Sequence, residues 1–225
     1  MTPSDPIRGH PTRAEQLDIL ASLVGDLAAP GDGLIDLGIG AGYVAGLVLD
    51  AAPGLHITGI DLNGEALETA RAALSPRAGG LDLIEANLES IDALVLPAGA
   101  YRFAISVLTF HDLPDEGKRA VIAWAAERLV PGGHFLLLDR IRLPGRAQFP
   151  LQAAIWRRIE RVHGAAMRGA EDYDGYLADL EAKNRPAAFE DYMAWLAQAG
   201  LAPACLHLHG NIALFSGTKD ASGAA

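Results

Sequence analysis

The stretch Leu34-Ile35-Asp36-Leu37-Gly38-Ile39-Gly40-Ala41-Gly42-Tyr43-Val44 decides the fold. Four residues, three of them apolar, run into three glycines spaced two apart, and helix-compatible sequence follows as far as Ala51. A short apolar run that stops at glycine is the pattern of a buried parallel strand. Glycines at the turn into the next helix let the backbone reverse sharply and approach a ligand closely. The strand carries one acid, Asp36, just before the first glycine.

The same alternation repeats outward from this point. His56–Ile60, Leu81–Glu85, Phe103–Leu108 and His134–Asp139 read as further strands. Between them lie helical patterns: Asn63 caps one whose inner face holds Leu67, Ala70 and Leu74, and a second turns Val121, Ile122, Ala125 and Leu129 inward before Val130-Pro131-Gly132-Gly133 ends it. Upstream, Leu17, Leu20, Leu23, Val24 and Leu27 fall at helical spacing. Strands alternating with helices predict a mostly parallel, doubly wound α/β sheet covered on both faces. The last two strand-like runs, Ala204–His209 and Asn211–Gly217, are joined too tightly for anything but an antiparallel pair. From 141 to 185 no strand pattern occurs, and Leu151, Ile155, Ile159 and Val162 trace a helical stripe, so this segment is expected to be a helical insertion in one domain spanning 1–225. Pro186 is expected to open a following helix with Phe189, Met193 and Leu196 inward.

Composition narrows the function. Hydrophobic residues make up 50% and charged residues 20%, an ordinary globular balance. The net charge of −10 opposes non-specific attraction to nucleic acid, which depends on Lys and Arg meeting phosphates. Apolar stretches are broken well short of the roughly 18 residues a membrane span needs, and the N-terminal residues have no apolar core of the signal-peptide kind. Cys205 is the sole cysteine, which removes intrachain disulfides and thiolate zinc sites and agrees with a reducing, cytoplasmic setting. Arg140, Arg142, Arg146, Arg157, Arg158, Arg161 and Arg168 cluster against this acidic background. They read as a solvated helix face, as a site for a small anion, or as a phosphate contact.

The glycine loop departs from the dinucleotide fingerprint, which wants Gly-x-Gly-x-x-Gly where this chain has Tyr43 in the last place. Pyrophosphate is favoured at a helix N-terminus by the macrodipole. An acid beside the loop suits a ligand with positive groups instead. A second acid, Asp61, ends the second strand, where a carboxylate can accept two hydrogen bonds from a ribose diol. Each acid has a purely structural reading as a turn or helix cap.

In order and spacing, the stretch from Leu34 to Asp139 resembles the class I S-adenosylmethionine-dependent methyltransferases. The resemblance implies S-adenosylmethionine as cofactor. It places Asp36, Gly38, Gly40 and Gly42 along the methionine and ribose, and Asp61 with Leu62 at the ribose. It also sets Asn87 and Leu88 (in Glu85-Ala86-Asn87-Leu88) near adenine and turns Ser106 and Val107 toward the cofactor. The Asn/Asp-Pro-Pro-Tyr/Phe motif of amide and exocyclic-amine enzymes is missing after the fourth strand, and Cys205 lies far from where a cytosine-C5 nucleophile belongs. Asp112 and Asp139 could be weighed as metal ligands, but Arg140 is a poor neighbour for a divalent cation, so no metal is expected.

His111 is the candidate general base, with a turn histidine beside Asp112 as the competing reading. The insertion is expected to serve as a substrate lid. Phe149, Trp156, Tyr173 and Tyr176 form either a substrate wall or the lid's own core; Arg13 and Arg185 are further substrate candidates, and His10 and Gln16 stand near the first strand. The expected function is methyl transfer to a small molecule, anionic or aromatic, at oxygen, nitrogen or another soft nucleophile, without a membrane or nucleic-acid partner. Homodimerisation stays open. The alternatives are an enzyme similar to carboxy-S-adenosylmethionine synthase, with Arg185 holding the added carboxylate, and a non-catalytic binding module.

Overall fold

The computed structural model describes residues 11–97, 99–163, 170–182 and 184–221. Strands β1 (Gly33–Leu37), β2 (His56–Asp61), β3 (Gly80–Glu85), β4 (Tyr101–Val107), β5 (Leu129–Arg140), β6 (Leu201–His209) and β7 (Ile212–Lys219) form one sheet in the order β3-β2-β1-β4-β5-β7-β6. β1 to β5 pair parallel; β7 runs antiparallel to both β5 and β6. The chain leaves β1 toward β2 on one side and returns to β4 on the other. That reversal opens a crevice at the carboxyl ends of β1 and β4, where ligands bind in sheets of this kind.

Both faces are covered. Helices α1 (Pro11–Leu27), α2 (Tyr43–Ala51) and α3 (Gly64–Leu74) bury Leu20, Val48 and Leu74 against Leu34, Phe103 and Leu138. On the opposite face α4 (Asp115–Arg128) and α7 (Phe189–Gln198) pack Ile122, Trp124, Tyr192 and Trp195 on Ile35, Leu137 and Phe215. β1 is buried along its whole length because both edges are paired and both faces are roofed.

Between β5 and α7 stand α5 (Phe149–His163) and α6 (Tyr173–Ala182), in the segment expected to be helical. The stripe read from sequence faces inward only in part: Ile159 is buried and Ile155 half-buried, but its two ends are not. Leu151 is 63% exposed and Val162 54% exposed. The buried side is Phe149, Gln152, Ala153, Trp156 and Ile159, because the aromatic rings of α5 meet Tyr173 and Tyr176 of α6. Two other boundaries shift. β5 starts at Leu129, running through the expected Pro-Gly-Gly turn, because Leu129 already pairs with Tyr101 across a register irregularity. α7 begins at Phe189 and buries Tyr192 and Trp195 most deeply, with Phe189 and Met193 at the edge of that core.

Phe103 is fully buried in the centre of the sheet. Phe103→Ala should lower unfolding free energy by about 3–5 kcal/mol through lost burial and a residual cavity, measured as a lower urea midpoint with little change in slope.

Candidate active site

At the end of β1 the chain enters the left-handed region three times, at Gly38 (φ 83°), Gly40 (φ 53°) and Gly42 (φ 79°). Two of these are also closely packed: a Cβ on Gly38 would lie 2.2 Å from Thr109 Oγ1, and one on Gly42 would lie 2.9 Å from Leu74 Cδ1. Gly40 has open space beside it and presents its backbone. Asp61 pins this loop. Its Oδ2 accepts from Gly40 N at 2.8 Å and its Oδ1 from Asn63 N at 2.9 Å. Asn63 in turn caps α3 by accepting from Glu65 N and Ala66 N.

A cleft of about 310 Å³ opens beside the loop, lined in part by Gly38, Asp61, Leu62, Asn87, Leu108 and Thr109. Leu62 is 66% exposed there, an apolar side chain with no protein cover. Asn87 caps the 3-10 turn that follows β3 by accepting from Glu89 N at 2.9 Å, and Leu88 tucks beneath it. Ser106 and Val107 do not line the cleft. Ser106 is buried in β4 and donates its hydroxyl to Leu37 O at 2.8 Å, while Val107 joins the core under α1 and α2. The residues one step further, Leu108 and Thr109, reach the cleft instead, and Leu108 does so with φ 54°, a conformation that costs a non-glycine residue energy.

Asp36 sits beneath the loop, 2% exposed, with Oδ2 lacking any hydrogen-bond partner among the described residues. Burial, and then the nearby Asp61 charge, pushes its pKa up to about 8. A buried carboxyl without a counter-charge is a cost that a cationic ligand group removes.

His111 lies in a 3-10 turn after β4 and is buried. Its Nδ1 is 2.7 Å from Asp139 Oδ1, and its backbone N–H donates to Asp139 Oδ2 at 2.9 Å. Asp139, at the end of β5, is wholly buried; burial of the Tyr192 phenol, and then the nearby Asp139 charge, raises that phenol well above its ordinary range. Sequence reasoning did not pair His111 with Asp139. The available signal was that β4 and β5 are adjacent parallel strands whose C-terminal ends lie side by side.

The other expected residues separate into groups. Phe149 and Tyr173 pack within the α5–α6 cluster, whereas Trp156 and Tyr176 belong to that cluster and also line a second cavity with Arg13 and Arg140. Arg185 lines a shallow groove with Arg142, Asp115 and Glu116, apart from the cleft. Its backbone N–H donates to His111 O at 2.6 Å. Arg157, Arg158 and Arg161 are exposed, and Arg146 pairs with Asp174. Gln16 is buried and donates to Ile212 O at 3.1 Å, and Cys205 is half-buried in β6. His10 and Arg168 lie outside the described residues.

Residues 34–133 match the family model of a methyltransferase domain. That stretch, which carries the glycine loop, Asp61 and the His111 turn, is what makes the chain similar to the class I S-adenosylmethionine-dependent methyltransferases. Among similar proteins are two trans-aconitate 2-methyltransferases. The Streptomyces coelicolor protein is 31% identical over 85% of this chain and 57% of its own length. The Streptomyces avermitilis protein is 28% identical over 92% and 72%. A carboxy-S-adenosyl-L-methionine synthase from Chromohalobacter salexigens is 28% identical over 70% of this chain and 54% of its own. This chain thus spans little more than half of the first of these relatives. In fold it is similar to an O-methyltransferase family protein from Burkholderia thailandensis, at TM-score 0.63 and 21% identity over 94% of this chain and 61% of that one.

The donor set fits the cofactor of these methyltransferases. Asp36 offers an uncompensated carboxyl to a cationic group, Asp61 keeps lone pairs beyond its two backbone bonds for a diol, and exposed Leu62 offers an apolar surface to a base. Asp36 also sets a pH signature in the ligand-free protein. Its folded-state pKa exceeds the unfolded value, so its contribution to stability is full below 3.8 and is lost as pH rises toward about 8. Asp36→Asn should therefore gain on the parent by up to roughly 1.4 kcal/mol per pH unit across that window and level off above it. Urea unfolding at a series of pH values measures this; parallel curves for the two proteins would show Asp36 titrating normally.

Proposed function

We propose that this chain transfers the methyl group of S-adenosylmethionine to a small-molecule acceptor at oxygen, nitrogen or another soft nucleophile. The observation that carries the reading is the crevice at the β1–β4 switch: Gly38 and Asp61 line it together with Thr109 and Asp112, Gly38 packs on Thr109, and the buried His111 lies in the turn between those last two residues. When bound, the cofactor supplies an electrophilic methyl on a sulfonium. Asp36 would hold its ammonium group, Asp61 its ribose hydroxyls, and Leu62 with Leu88 its base. Holding the acceptor in line with the methyl supplies most of the rate, up to ~7–11 kcal/mol.

His111 is suited to take a proton from the acceptor. A carboxylate facing Nδ1 favours the tautomer with the proton on Nδ1, which leaves Nε2, with the Asp112 carboxylate 3.7 Å away, to accept a proton. The α5–α6 insertion would act as the lid over the acceptor, within one domain. In the irregular segment after α6, Arg185 N–H donates to the His111 carbonyl, which ties the end of the insertion to the turn that carries the base. Similarity to the trans-aconitate enzymes supports an acidic small molecule as acceptor. Similarity to the carboxy-S-adenosyl-L-methionine synthase raises the second reading, but Arg185, the arginine expected to hold an added carboxylate, faces a groove apart from the cleft. Among the described residues no helix is long and apolar enough to cross a membrane.

Denaturing the purified protein and analysing released small molecules by mass spectrometry should reveal S-adenosylmethionine or S-adenosylhomocysteine, and calorimetric titration should show saturable binding. Asp61→Asn should weaken that binding roughly 10- to 100-fold, the worth of a hydrogen bond to a charged group. Neither ligand nor heat in the parent protein would move the non-catalytic module ahead. For an acceptor reacting through a hydroxyl or amine, His111→Asn, which keeps a donor toward Asp139, should lower kcat by about 10²- to 10⁴-fold while cofactor affinity holds. An unchanged kcat would assign His111 to supporting Asp139 alone.

A further inference from the structure

Asp36 is a carboxyl that the folded chain gives no means of carrying its charge. It is the next-to-last residue of β1, and its register partners, Gly59 on β2 and Ile105 on β4, offer no side-chain donor. It is almost wholly buried, and Oδ2 has no hydrogen-bond partner among the described residues. Alternation along the strand puts it on the sheet face of Leu34, the face that α1 and α2 roof.

The described elements packed on that face bring no counter-charge to it. On α1, Glu15, Asp18 and Asp26 are exposed, and Arg13 lines the cavity with Arg140 and Ile212. On α2, Asp50 pairs with Arg77, and Tyr43 brings a phenol whose hydroxyl also lacks a partner among the described residues. On α3, Glu65, Glu68 and Arg71 point into solvent. The charge that does bear on Asp36 has its own sign: Asp61, at the end of β2. Burial first, and that neighbour second, therefore favour the neutral acid, and the carboxyl is pushed up to about 8. Asp61 lines the cleft, as does Gly38, two residues beyond Asp36. A positive group bound there reverses the balance, because an opposite charge close by favours the ionised form.

We propose that Asp36 holds a proton in the empty protein and gives it up to solvent when a cationic ligand enters the cleft, so that loading the methyl donor is coupled to proton release. The exchange balances: a neutral acid and a ligand ammonium become a carboxylate–cation pair, and one proton leaves. The coupling rests on the S-adenosylmethionine reading for the identity of the ligand, but the proton is counted without any acceptor or methyl transfer. Its sign follows from the protonated empty state. Below about pH 8 each ligand must displace a proton, so affinity falls about tenfold for each unit of pH lost, and it levels off once the empty protein is ionised. The coupling also sorts ligands. Acidification releases a charged nucleoside from the cleft and leaves the affinity of a neutral one unchanged.

The test is calorimetric titration of the full chain with S-adenosylhomocysteine at pH 7 in two buffers of different ionisation enthalpy, which counts the protons released per ligand bound. Methylthioadenosine, which keeps the base, the ribose and a thioether but has no ammonium group, is the control. S-adenosylhomocysteine should release about one proton and methylthioadenosine none, and the affinity of the former should drop about tenfold from pH 7 to pH 6. Asp36→Asn should bind S-adenosylhomocysteine with no proton released and with an affinity that changes little over the same range. Difference infrared spectra of the parent protein read the event directly: the carbonyl band of a protonated carboxyl should vanish when S-adenosylhomocysteine is added. That measurement keeps the test open if the asparagine variant misfolds. Binding of S-adenosylhomocysteine without proton release, equal release by methylthioadenosine, or undiminished release in Asp36→Asn would overturn the coupling and leave the cofactor reading standing. Failure of both S-adenosylhomocysteine and S-adenosylmethionine to bind between pH 6 and pH 8 would sink the two together.

Discussion

β1 is paired on both edges and roofed on both faces, and everything chemical in this protein lies near the point where it stops. A strand so enclosed cannot carry its direction onward past the sheet; the chain must reverse beside its neighbours. Gly38 and Ile39 both donate to Ile60 O, at 2.8 and 3.1 Å, so the reversal starts while the backbone is still bonded to β2. Only glycine meets the resulting left-handed angles without strain. The tight loop leaves its amides and the neighbouring carboxylates facing a cleft instead of a core.

The same enclosure puts Asp36 where a carboxyl is least welcome. Its burial would be an expensive ornament in a protein that bound nothing there, since one uncompensated buried charge rivals a sizeable share of a domain's net stability. Protonation lowers the cost in the empty protein, and a cationic ligand removes it by another route. Asp61, by contrast, has a structural role that leaves it available to a ligand: two backbone N–H groups hold it in place, and those same bonds orient its remaining lone pairs.

What was legible in the sequence follows from how far apart the cooperating residues are. The strand-glycine turn, Asp61 and the capping role of Asn63 are local, and the pattern from Leu34 onward specified them along with the parallel sheet. The tight antiparallel ending of β6 and β7 was also local. The His111–Asp139 pair was not, because it depends on which strand lies beside β4 and how the two end in register. Ser106 and Val107, which the family resemblance turned toward the cofactor, lie one step short of the cleft, because the positive φ at Leu108 turns the chain only after them. On α5 two helical stripes compete, and residue spacing cannot choose between them. The aromatic partners on α6 choose the one containing Phe149 and Trp156.

The insertion between β5 and α7 enters and leaves the sheet at neighbouring points. Ile141 donates to Asn211 O, Arg142 to Ala187 O, and Arg185 to His111 O. The two ends are thus clasped to each other and to the sheet before α5 begins and after α6 finishes. Loop length between clasped ends is cheap to vary, since closure entropy grows only slowly with chain length. The segment therefore behaves as an exchangeable cassette: its helices can be lengthened, shortened or replaced without moving β1, its glycine loop or Asp61. A lineage built on this frame can change what it recognises faster than how it holds its methyl donor.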